Sequence, residues 1–382
     1  MTLIIISLSL FLAYALLMMV YARGWRRVRS VHDAVATGTL PRISIIIPAR
    51  NEAAHIGSCL QSILAQPYPA GMLELLVIDD FSTDGTESIA ESLLTGGKGR
   101  VLQLKQYLSE TERLNAYKKK ALEIAIHEAR GEWIVTTDAD CLAPQGWLKA
   151  LGNAMQNEQL QFVVAPVSFV PADRRTMLYY FQSLDFMTMQ GITAASAVLR
   201  LGNMCNGANL AFRKSAYIAV DGYRGIDHIA SGDDMMLMYK IQQQFPQGIG
   251  YLKAPEAVMS TPAQPDWHSF LNQRIRWSSK ADKYDDKKLT LILALVYFFN
   301  CSFIALAVAG FVHWRYWLWL LGLLLVKTVV ELLFLAPVAA FYGKRKELLW
   351  FPLLQPLHIL YIILAGFLGK FGSYQWKGRR VK

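Results

Sequence analysis

Charged residues and paired cysteines are both scarce in this chain of 382 residues. Only 18% of the residues are charged, whereas 53% are hydrophobic and 12% are aromatic, and this balance excludes a disordered or fibrous protein. The four cysteines are widely scattered, so the sequence supports neither a zinc site nor a disulfide framework. We therefore expect the water-soluble part of the protein to lie in a reducing cytosol.

Several common catalytic motifs are missing as well. The sequence contains no G-x-x-x-x-G-K-[ST] loop and no G-x-G-x-x-G turn after a strand, which excludes the phosphate-binding loops of ATPases and dehydrogenases. It also lacks a G-x-S-x-G elbow and an H-E-x-x-H helix. These absences exclude the commonest serine hydrolases and zinc proteases.

Hydrophobic residues are concentrated near the two ends of the chain. Residues 3–22 carry no charge, and about 20 apolar residues at about 1.5 Å each cross a hydrocarbon core of about 30 Å, so we expect a transmembrane helix within 1–22. Basic residues in the linker that follows, 23–40, place the N-terminus outside and the next domain in the cytoplasm. The net charge of +10 lies mostly beside apolar runs, so we expect no nucleic-acid partner.

A second membrane region, 289–371, is expected near the C-terminus. Its three apolar stretches cover residues 289–312, 316–341 and 348–369. The third stretch has basic residues on both sides, at 344–346 and in the tail 372–382, and both sides cannot be cytoplasmic if it crosses once. Because Pro352 and Pro356 disfavour a straight helix, we expect a re-entrant or interfacial pair of helices broken near these prolines. The tail, with Trp376 and Arg379, would then stay in the cytoplasm.

Two polar features within apolar or amphipathic segments allow alternative interpretations. Lys327 and Glu331 are four residues apart, so they either form an ion pair within one helix or face a headgroup cavity, and the spacing favours the pair. Residues 173–200 are too polar to span a membrane. They fit an interfacial helix and a core helix equally well.

The region 41–288 has the pattern of a globular α/β domain. Short β-rich runs at 43–47, 75–78, 133–137 and 162–165 alternate with helical stretches, which predicts a mostly parallel sheet covered on both faces. Three of these runs end in polar loops, which contain Pro48-Ala49-Arg50-Asn51-Glu52, Asp79-Asp80 and Asp138-Ala139-Asp140. Such clusters are individually typical of turns and helix caps. The carboxyl ends of parallel strands nevertheless form the ligand crevice, so we expect the loops to converge.

Acidic and aromatic residues in these loops and further downstream suggest specific chemistry. Asp138 and Asp140 could bind Mg²⁺ or Mn²⁺ together with a diphosphate, since these cations prefer carboxylate and phosphate oxygens. Asp233-Asp234 precedes a predicted helix, where the default role is helix capping. Gln273, Arg276 and Trp277 share one helix face, which is also typical of a surface helix anchored at a membrane.

In their order along the chain, these motifs resemble those of the family 2 membrane glycosyltransferases, which include cellulose, chitin and hyaluronan synthases and ceramide glucosyltransferases. The shared motifs are Asp79-Asp80-x-Ser82-x-Asp84-x-Thr86, Asp138-x-Asp140, Asp233-Asp234 and Gln273-x-x-Arg276-Trp277. The resemblance covers residues 41–280 and is greatest to the ceramide glucosyltransferase-like branch. It implies a GT-A catalytic domain, a Rossmann-like α/β fold, joined to transmembrane α-helices. The chain departs from the family at Gly232-Asp233-Asp234, where Thr-Glu-Asp is usual.

The resemblance also implies a role for each motif residue. The donor would be bound by Pro48, Arg50, Glu52, Asp79, Asp80, Lys118, Asp138, Gln273 and Arg276. Asp140 would bind the metal, Mg²⁺ or Mn²⁺. Asp234 would be the catalytic base, with Asp233 and Arg276 as further catalytic residues, and Trp277 and Asp234 would contact the acceptor.

We therefore expect a multi-pass enzyme of a bacterial-type inner membrane, with its catalytic domain in the cytoplasm. It would be an inverting, metal-dependent glycosyltransferase that moves a sugar from a UDP-sugar to a lipid acceptor. A processive polysaccharide synthase is the alternative, although a polymer channel usually needs more than three or four transmembrane helices. A membrane transport or scaffold protein with a degenerate nucleotide domain is a more remote alternative.

Overall fold

The computed structural model describes residues 1–29, 39–69, 71–108, 116–229, 231–280 and 286–372, and the backbone of 374–376 and 379–381. The strands up to residue 262 are β1 (Ile43–Ala49), β2 (Leu73–Asp79), β3 (Arg100–Gln103), β4 (Trp133–Thr136), β5 (Phe162–Val164), β6 (Val167–Val170), β7 (Leu210–Arg213), β8 (Ile249–Tyr251) and β9 (Met259–Pro262). Seven of them form one sheet of order β3-β2-β1-β4-β7-β5-β8, and β6 pairs separately with β9. The sheet therefore has β1 and β4 near its centre.

Strand β1 is enclosed on both of its faces. It pairs in parallel with β2 and β4, and β7 runs antiparallel between β4 and β5. Ile45, Ile46 and Ile47 are fully buried, because successive side chains point to opposite faces and both faces are covered. The predicted mostly parallel, doubly covered α/β sheet is confirmed.

Helices form both layers around the sheet and continue beyond it. They are α1 (Thr2–Arg27), α2 (Ile56–Leu64), α3 (Thr86–Leu94), α4 (Tyr117–Glu128), α5 (Trp147–Met155), α6 (Met177–Leu199), α7 (Lys214–Ala219), α8 (Asp233–Gln244), α9 (Trp267–Ser278), α10 (Lys287–Val312), α11 (Arg315–Phe341) and α12 (Phe351–Phe371). Ile45 and Ile47 pack against α2, α3 and α5. Ile46 packs on the opposite face against α4, α7 and α8.

Four of the described helical segments are long and apolar enough to cross a membrane. They are α1, α10, α11 and the segment Arg345–Phe371, in which a short 3₁₀ helix, Arg345–Trp350, leads into α12. These segments indicate a membrane protein. Helix α1 extends beyond the predicted span, and its last turn includes Arg26 and Arg27. Arginine is a good helix former, so the helix can continue through these residues.

Helix α12 is continuous, so the predicted break near Pro352 and Pro356 is wrong. Pro352 occupies the first turn, where its missing N–H would have no helical partner in any case. Pro356 removes one further hydrogen bond, and the helix continues past it to Phe371. The side of the membrane on which the tail lies stays a prediction.

Both ends of α12 nevertheless contact the catalytic domain. Just before its first residue, the ring of Trp350 stacks on Tyr180 of α6 with ring centroids 5.0 Å apart. Near its last turn, a Cβ added at Gly369 would lie 2.5 Å from the Cβ of Ser278 in α9. The absence of a side chain at Gly369 therefore permits close packing of α12 on α9.

Helix α6 is mostly buried, as expected of a core helix, and the interfacial interpretation of residues 173–200 stays a prediction. On the side of the catalytic domain, Phe186 packs on Phe169 with ring centroids 4.3 Å apart. On the other side, a Cβ added at Gly191 would lie within 2.9 Å of Val338 and Phe334 in α11. In total, 15 of the 23 residues of α6 are buried.

A buried polar network connects α1, α11 and α12. Lys327 Nζ lies 2.8 Å from Glu331 Oε1, so the predicted ion pair is confirmed. Lys327 also donates to Gln355 Oε1 at 2.7 Å, and Glu331 accepts hydrogen bonds from Tyr14 and Gln355. These contacts give the two charges the partners that polar groups need inside an apolar bundle.

The tail contains two short strands, β10 (Tyr374–Trp376) and β11 (Arg379–Val381), which pair antiparallel. Strand β10 lies beside α9. The side chains of Trp376 and Arg379 lie outside the described residues.

Candidate active site

A cavity of about 1600 Å³ lies at the carboxyl ends of β1 and β4 and extends toward α9. Most of the predicted site residues line it, namely Pro48, Arg50, Glu52, Asp80, Lys118, Asp138, Asp140, Asp233, Asp234, Gln273, Arg276 and Trp277. They come from the ends of three strands and from α4, α8 and α9. The carboxyl ends of parallel strands thus bring distant parts of the chain to one site, as expected.

The loops after β1 and β2 are fixed to each other. Arg50 Nη1 donates to the carbonyl oxygen of Asp80 at 2.7 Å and lies 3.8 Å from its carboxylate. Asp79 is the predicted donor-binding residue that does not line the cavity. It is 3% exposed, and its Oδ2 accepts the Ser82 N–H at 3.1 Å. Asp79 therefore stabilises the turn of its own loop, and a direct contact with the donor stays a prediction.

Lys118 connects two of the acidic motifs. Its Nζ lies 3.0 Å from Asp138 Oδ1 and 3.5 Å from Asp233 Oδ2. Burial alone lowers the pKa of Lys118, but the charges of Asp138 and Asp233 outweigh burial and raise the pKa above its ordinary value. Lys118 therefore stays positively charged and holds the loop after β4 close to the start of α8.

Asp140 is the predicted metal ligand, and its carboxylate lines the cavity. Among the described residues there is no group of three His, Cys, Asp or Glu side chains that could hold a metal ion by themselves. A single carboxylate is nevertheless compatible with Mg²⁺ or Mn²⁺, because these ions commonly take one or two carboxylates and complete their shell with substrate phosphates and water. The oxygen donor at Asp140 fits such an ion.

Asp233 and Asp234 begin α8 and differ in their surroundings. Burial and the neighbouring charge of Asp233 raise the pKa of Asp234. Burial also disfavours ionised Asp233, but Lys118 and Lys280 outweigh it and lower the pKa of Asp233. Two adjacent carboxyl groups with pKa values shifted in opposite directions are suited to different tasks.

The backbone around this pair suits the glycine found where the family usually has threonine. Gly232 has φ 78°, a left-handed conformation that glycine adopts readily and threonine does not. Asp234 Oδ2 accepts the Gly207 N–H at 3.0 Å, and its Oδ1 accepts the Met235 N–H at 2.7 Å. These two hydrogen bonds fix the orientation of the Asp234 carboxylate at the cavity wall.

Helix α9 contributes the other wall of the site. Its start is capped by Asp266, which accepts the Ser269 N–H at 2.8 Å. Gln273, Arg276 and Trp277 all line the cavity, as their spacing predicts. The Oε1 atom of Gln273 is buried and accepts no hydrogen bond from the described part of the chain.

The sequence did not reveal a buried ion pair behind Trp277. Arg274 Nη2 lies 3.1 Å from Asp185 Oδ2, at ion-pair distance but without a well-aligned hydrogen bond. The guanidinium carbon of Arg274 is 4.2 Å from the centre of the Trp277 ring, and His358 Nε2 of α12 is 3.4 Å from the other oxygen of Asp185. The signal that could have found this pair is Asp185, a single acidic residue within the otherwise uncharged segment 177–199.

Lys280 is a second residue that the sequence did not reveal. It follows α9, is 7% exposed and lines the cavity. Burial lowers its pKa to about 8, a change that the charge of Asp234 partly opposes and Arg276 reinforces. No motif includes Lys280, and a lysine in a polar segment has no sequence feature that predicts burial.

The sheet, the acidic loops at its carboxyl edge and the long apolar helices together have the architecture of a GT-A domain joined to helices that could cross a membrane. The family model described as "Glycosyl transferase family group 2" matches residues 133–368, and that described as "Glycosyl transferase family 2" matches residues 44–220. The first match covers more than half of the chain. The chain therefore belongs to the family 2 glycosyltransferases, and the predicted family and fold class are confirmed.

The relatives that match this chain have names of different kinds. "Glycosyltransferase AglE" of Haloferax volcanii is 29% identical over 52% of this chain and 60% of its own. "Beta-monoglucosyldiacylglycerol synthase" of Nostoc is 25% identical over 63% of this chain and 49% of its own. An "N-acetylglucosaminyltransferase" of Mesorhizobium japonicum is 25% identical over 62% and 55%. The chain thus spans about half to three fifths of the length of these relatives.

One solved structure is similar over nearly the whole chain. It is the mannosyltransferase PcManGT from Pyrobaculum calidifontis in complex with GDP-Man and Mn²⁺, with a TM-score of 0.59, 21% identity and coverage of 96% of this chain and 98% of that one. At this identity the similarity concerns the fold. The predicted ceramide glucosyltransferase-like branch is not confirmed by these relatives.

Proposed function

We propose that the protein is an inverting, metal-dependent glycosyltransferase that moves a sugar from a UDP-sugar to the hydroxyl group of a lipid. The observation that carries the proposal is the meeting, in one cavity, of Asp140, Arg276 and Asp234. These are the residue types that a single displacement needs for the metal, the leaving group and the base. The cytoplasmic face of a bacterial-type inner membrane is the proposed location.

Displacement of a nucleoside diphosphate builds negative charge on the leaving group and positive charge on the sugar, by analogy with glycoside hydrolysis. Arg276 has a planar guanidinium that can bind two diphosphate oxygens at once. A divalent ion bound at Asp140 would neutralise charge on the same diphosphate. Lys118 and Lys280 add positive charge to the cavity, which favours binding of the nucleotide.

Asp234 is the proposed base because it combines a fixed orientation with a raised pKa. A raised pKa makes the carboxylate a stronger base for the acceptor hydroxyl. Asp233 is ion-paired with Lys118, which leaves it less suited to accept a proton. Direct displacement by the acceptor inverts the anomeric carbon and requires one base and no enzyme nucleophile.

The identities of the donor and acceptor rest on different arguments. UDP is favoured by the resemblance of Asp79-Asp80 to the uridine-binding motif, whereas the structural neighbour from Pyrobaculum contains GDP-Man. A lipid acceptor is favoured by the contact of α9 with α12 and by the glycolipid synthase among the relatives. Transfer to a growing saccharide is the second candidate, and the resemblance of Gln273-x-x-Arg276-Trp277 to the motif of polysaccharide synthases favours it.

Nucleotide release from a panel of UDP- and GDP-sugars tests the proposal. The full chain is purified in detergent and assayed with Mg²⁺, Mn²⁺ or EDTA, with and without a total lipid extract. We expect metal-dependent release of UDP that the lipid extract stimulates, together with a glycolipid product. Release of GDP, stimulation by soluble oligosaccharides instead of lipid, or full activity in EDTA would each contradict one part of the proposal. Asp234→Asn serves as the inactive control.

A further inference from the structure

The cavity continues past the acidic site into an apolar lobe between α10 and α12. The lobe is lined by aliphatic and aromatic side chains from both helices, including Leu293, Ala294, Phe298, Ile362, Phe367 and Phe371. The lining residues of α10 and α12 recur at intervals of about three to four positions, so each helix presents one face to the lobe. The acidic site and the apolar lobe therefore form one continuous space.

The two helices also touch, which defines one boundary of the lobe. A Cβ added at Gly366 of α12 would lie 2.8 Å from the ring of Tyr297 in α10. Glycine thus allows the Tyr297 ring to pack on the backbone of α12. Both Gly366 and Tyr297 line the cavity, so this contact forms part of its wall.

The residues around the lobe are exposed and apolar. Phe298 is 60% exposed, Phe367 is 54% exposed and Phe371 is 69% exposed. All three lie on helical segments that are long and apolar enough to cross a membrane. Apolar side chains exposed on such segments face hydrocarbon in a bilayer. The lobe is therefore bordered by surface suited to lipid and not to water.

We propose that the apolar lobe binds the hydrocarbon chain of the acceptor lipid, which enters sideways from the bilayer between α10 and α12. Its headgroup hydroxyl would then lie in the polar part of the same cavity, toward Asp234. This inference rests on the proposed function, because it assigns a site to the lipid acceptor. A saccharide chain would instead require many hydrogen-bonding groups along its path, and the lining of the lobe is mostly aliphatic and aromatic.

Filling the lobe provides the first test. Ala294→Trp places an indole inside the lobe, and Leu291→Trp is the matched control, since Leu291 is 72% exposed on the same helix and does not line the cavity. We expect Ala294→Trp to lower lipid-stimulated transfer by at least about tenfold, because the indole would occupy space that the lipid chain needs. Leu291→Trp should transfer sugar at close to the wild-type rate, and a thermal unfolding midpoint near that of wild type in both variants reports correct folding.

Photolabelling provides a second test that does not depend on turnover. A diacylglycerol with a diazirine in one acyl chain is mixed with the full-length protein in detergent and illuminated. The labelled residues are then mapped by mass spectrometry. We expect labels at lobe residues such as Ile362 and Phe367, competition by total lipid extract, and loss of these labels in Ala294→Trp but not in Leu291→Trp. The milder Ala294→Leu should reduce labelling partially if the tryptophan variant does not fold.

The outcomes separate the two proposals. Two results would overturn the assignment of the lobe while leaving the glycosyltransferase proposal intact. One is a set of labels spread evenly over exposed apolar faces, and the other is sugar transfer to lipid at the wild-type rate by Ala294→Trp. A loss of transfer to soluble oligosaccharides in Ala294→Trp as large as the loss of transfer to lipid would also overturn it. Specific labelling of the lobe in a wild-type protein that releases no nucleotide from any sugar donor would support the lobe and contradict the proposed function.

Discussion

Removal of the Asp185 carboxylate tests how α9 is held against the membrane helices. In Asp185→Leu, Arg274 keeps its charge at a position where its side chain is 1% exposed. An unpaired buried charge costs about 3–5 kcal/mol. The contacts of the guanidinium with Trp277 and Phe270, at 4.2 and 5.0 Å, are present in both proteins and do not change this difference. We expect the lower end of the range, about 3 kcal/mol, because Arg274 Nη2 and Asp185 Oδ2 lie at ion-pair distance without a well-aligned hydrogen bond.

The assay is thermal unfolding of the full chain in detergent, compared across variants under identical conditions. For a domain of 150–250 residues, about 1 kcal/mol corresponds to about 2–4 °C, so Asp185→Leu should unfold about 6–12 °C below wild type. The double variant Asp185→Leu/Arg274→Met removes both charges and should recover most of the loss. Glu123→Leu, which breaks the half-exposed pair with Lys120, should change the midpoint little. Equal midpoints for Asp185→Leu and Glu123→Leu would refute the reasoning.

Four further predictions concern the site and the topology. Asp140→Asn should abolish metal-dependent donor binding with little effect on folding, because an amide is a poor substitute for an anionic oxygen ligand; unchanged metal dependence in a donor-binding assay would contradict this. Asp234→Asn should lower kcat by about a hundredfold or more with near-normal donor affinity. As the pH decreases, the wild-type kcat should begin to fall at a higher pH than an ordinary aspartate base would give. The reason is that the pKa of Asp234 is raised and only its ionised form accepts a proton. Donor affinity should weaken as pH rises through about 8, where Lys280 loses its charge, and Lys280→Gln should remove this step in a titration of donor binding. A cysteine at position 373 should resist a membrane-impermeant maleimide added from the periplasmic side of spheroplasts, and strong labelling would mean that the third apolar stretch crosses the membrane.

The sequence predicts those features that depend on local pattern. Runs that are almost wholly apolar, such as residues 43–47, identify buried parallel strands, because only a sheet covered on both faces can bury every side chain of a strand. The spacing of Gln273, Arg276 and Trp277 predicts their common face, and the i, i+4 spacing of Lys327 and Glu331 predicts their pair.

Local sequence patterns do not predict features that depend on packing between segments far apart in the chain. Proline propensity predicts a break at Pro356, but contacts of α12 along its length with α9 and α10 outweigh one lost hydrogen bond. The amphipathic pattern of 173–200 does not distinguish lipid from protein as the apolar partner. Burial of Lys280 depends on the fold around the cavity, which its neighbours in sequence do not encode.

The packing of α6 has a consequence for how the protein can be divided. Its side chains share one hydrophobic cluster with residues of α1, α10, α11 and α12, and Phe270 of α9 belongs to the same cluster. A fragment limited to residues 41–288 would leave this cluster open to water along α6 and α9. Such a fragment would be expected to aggregate, because a large contiguous apolar patch is a site of association. The membrane helices are thus needed to complete the hydrophobic core next to the catalytic domain. Truncated proteins, and chimaeras that exchange segments between homologues, would have to keep the catalytic domain and its membrane helices together.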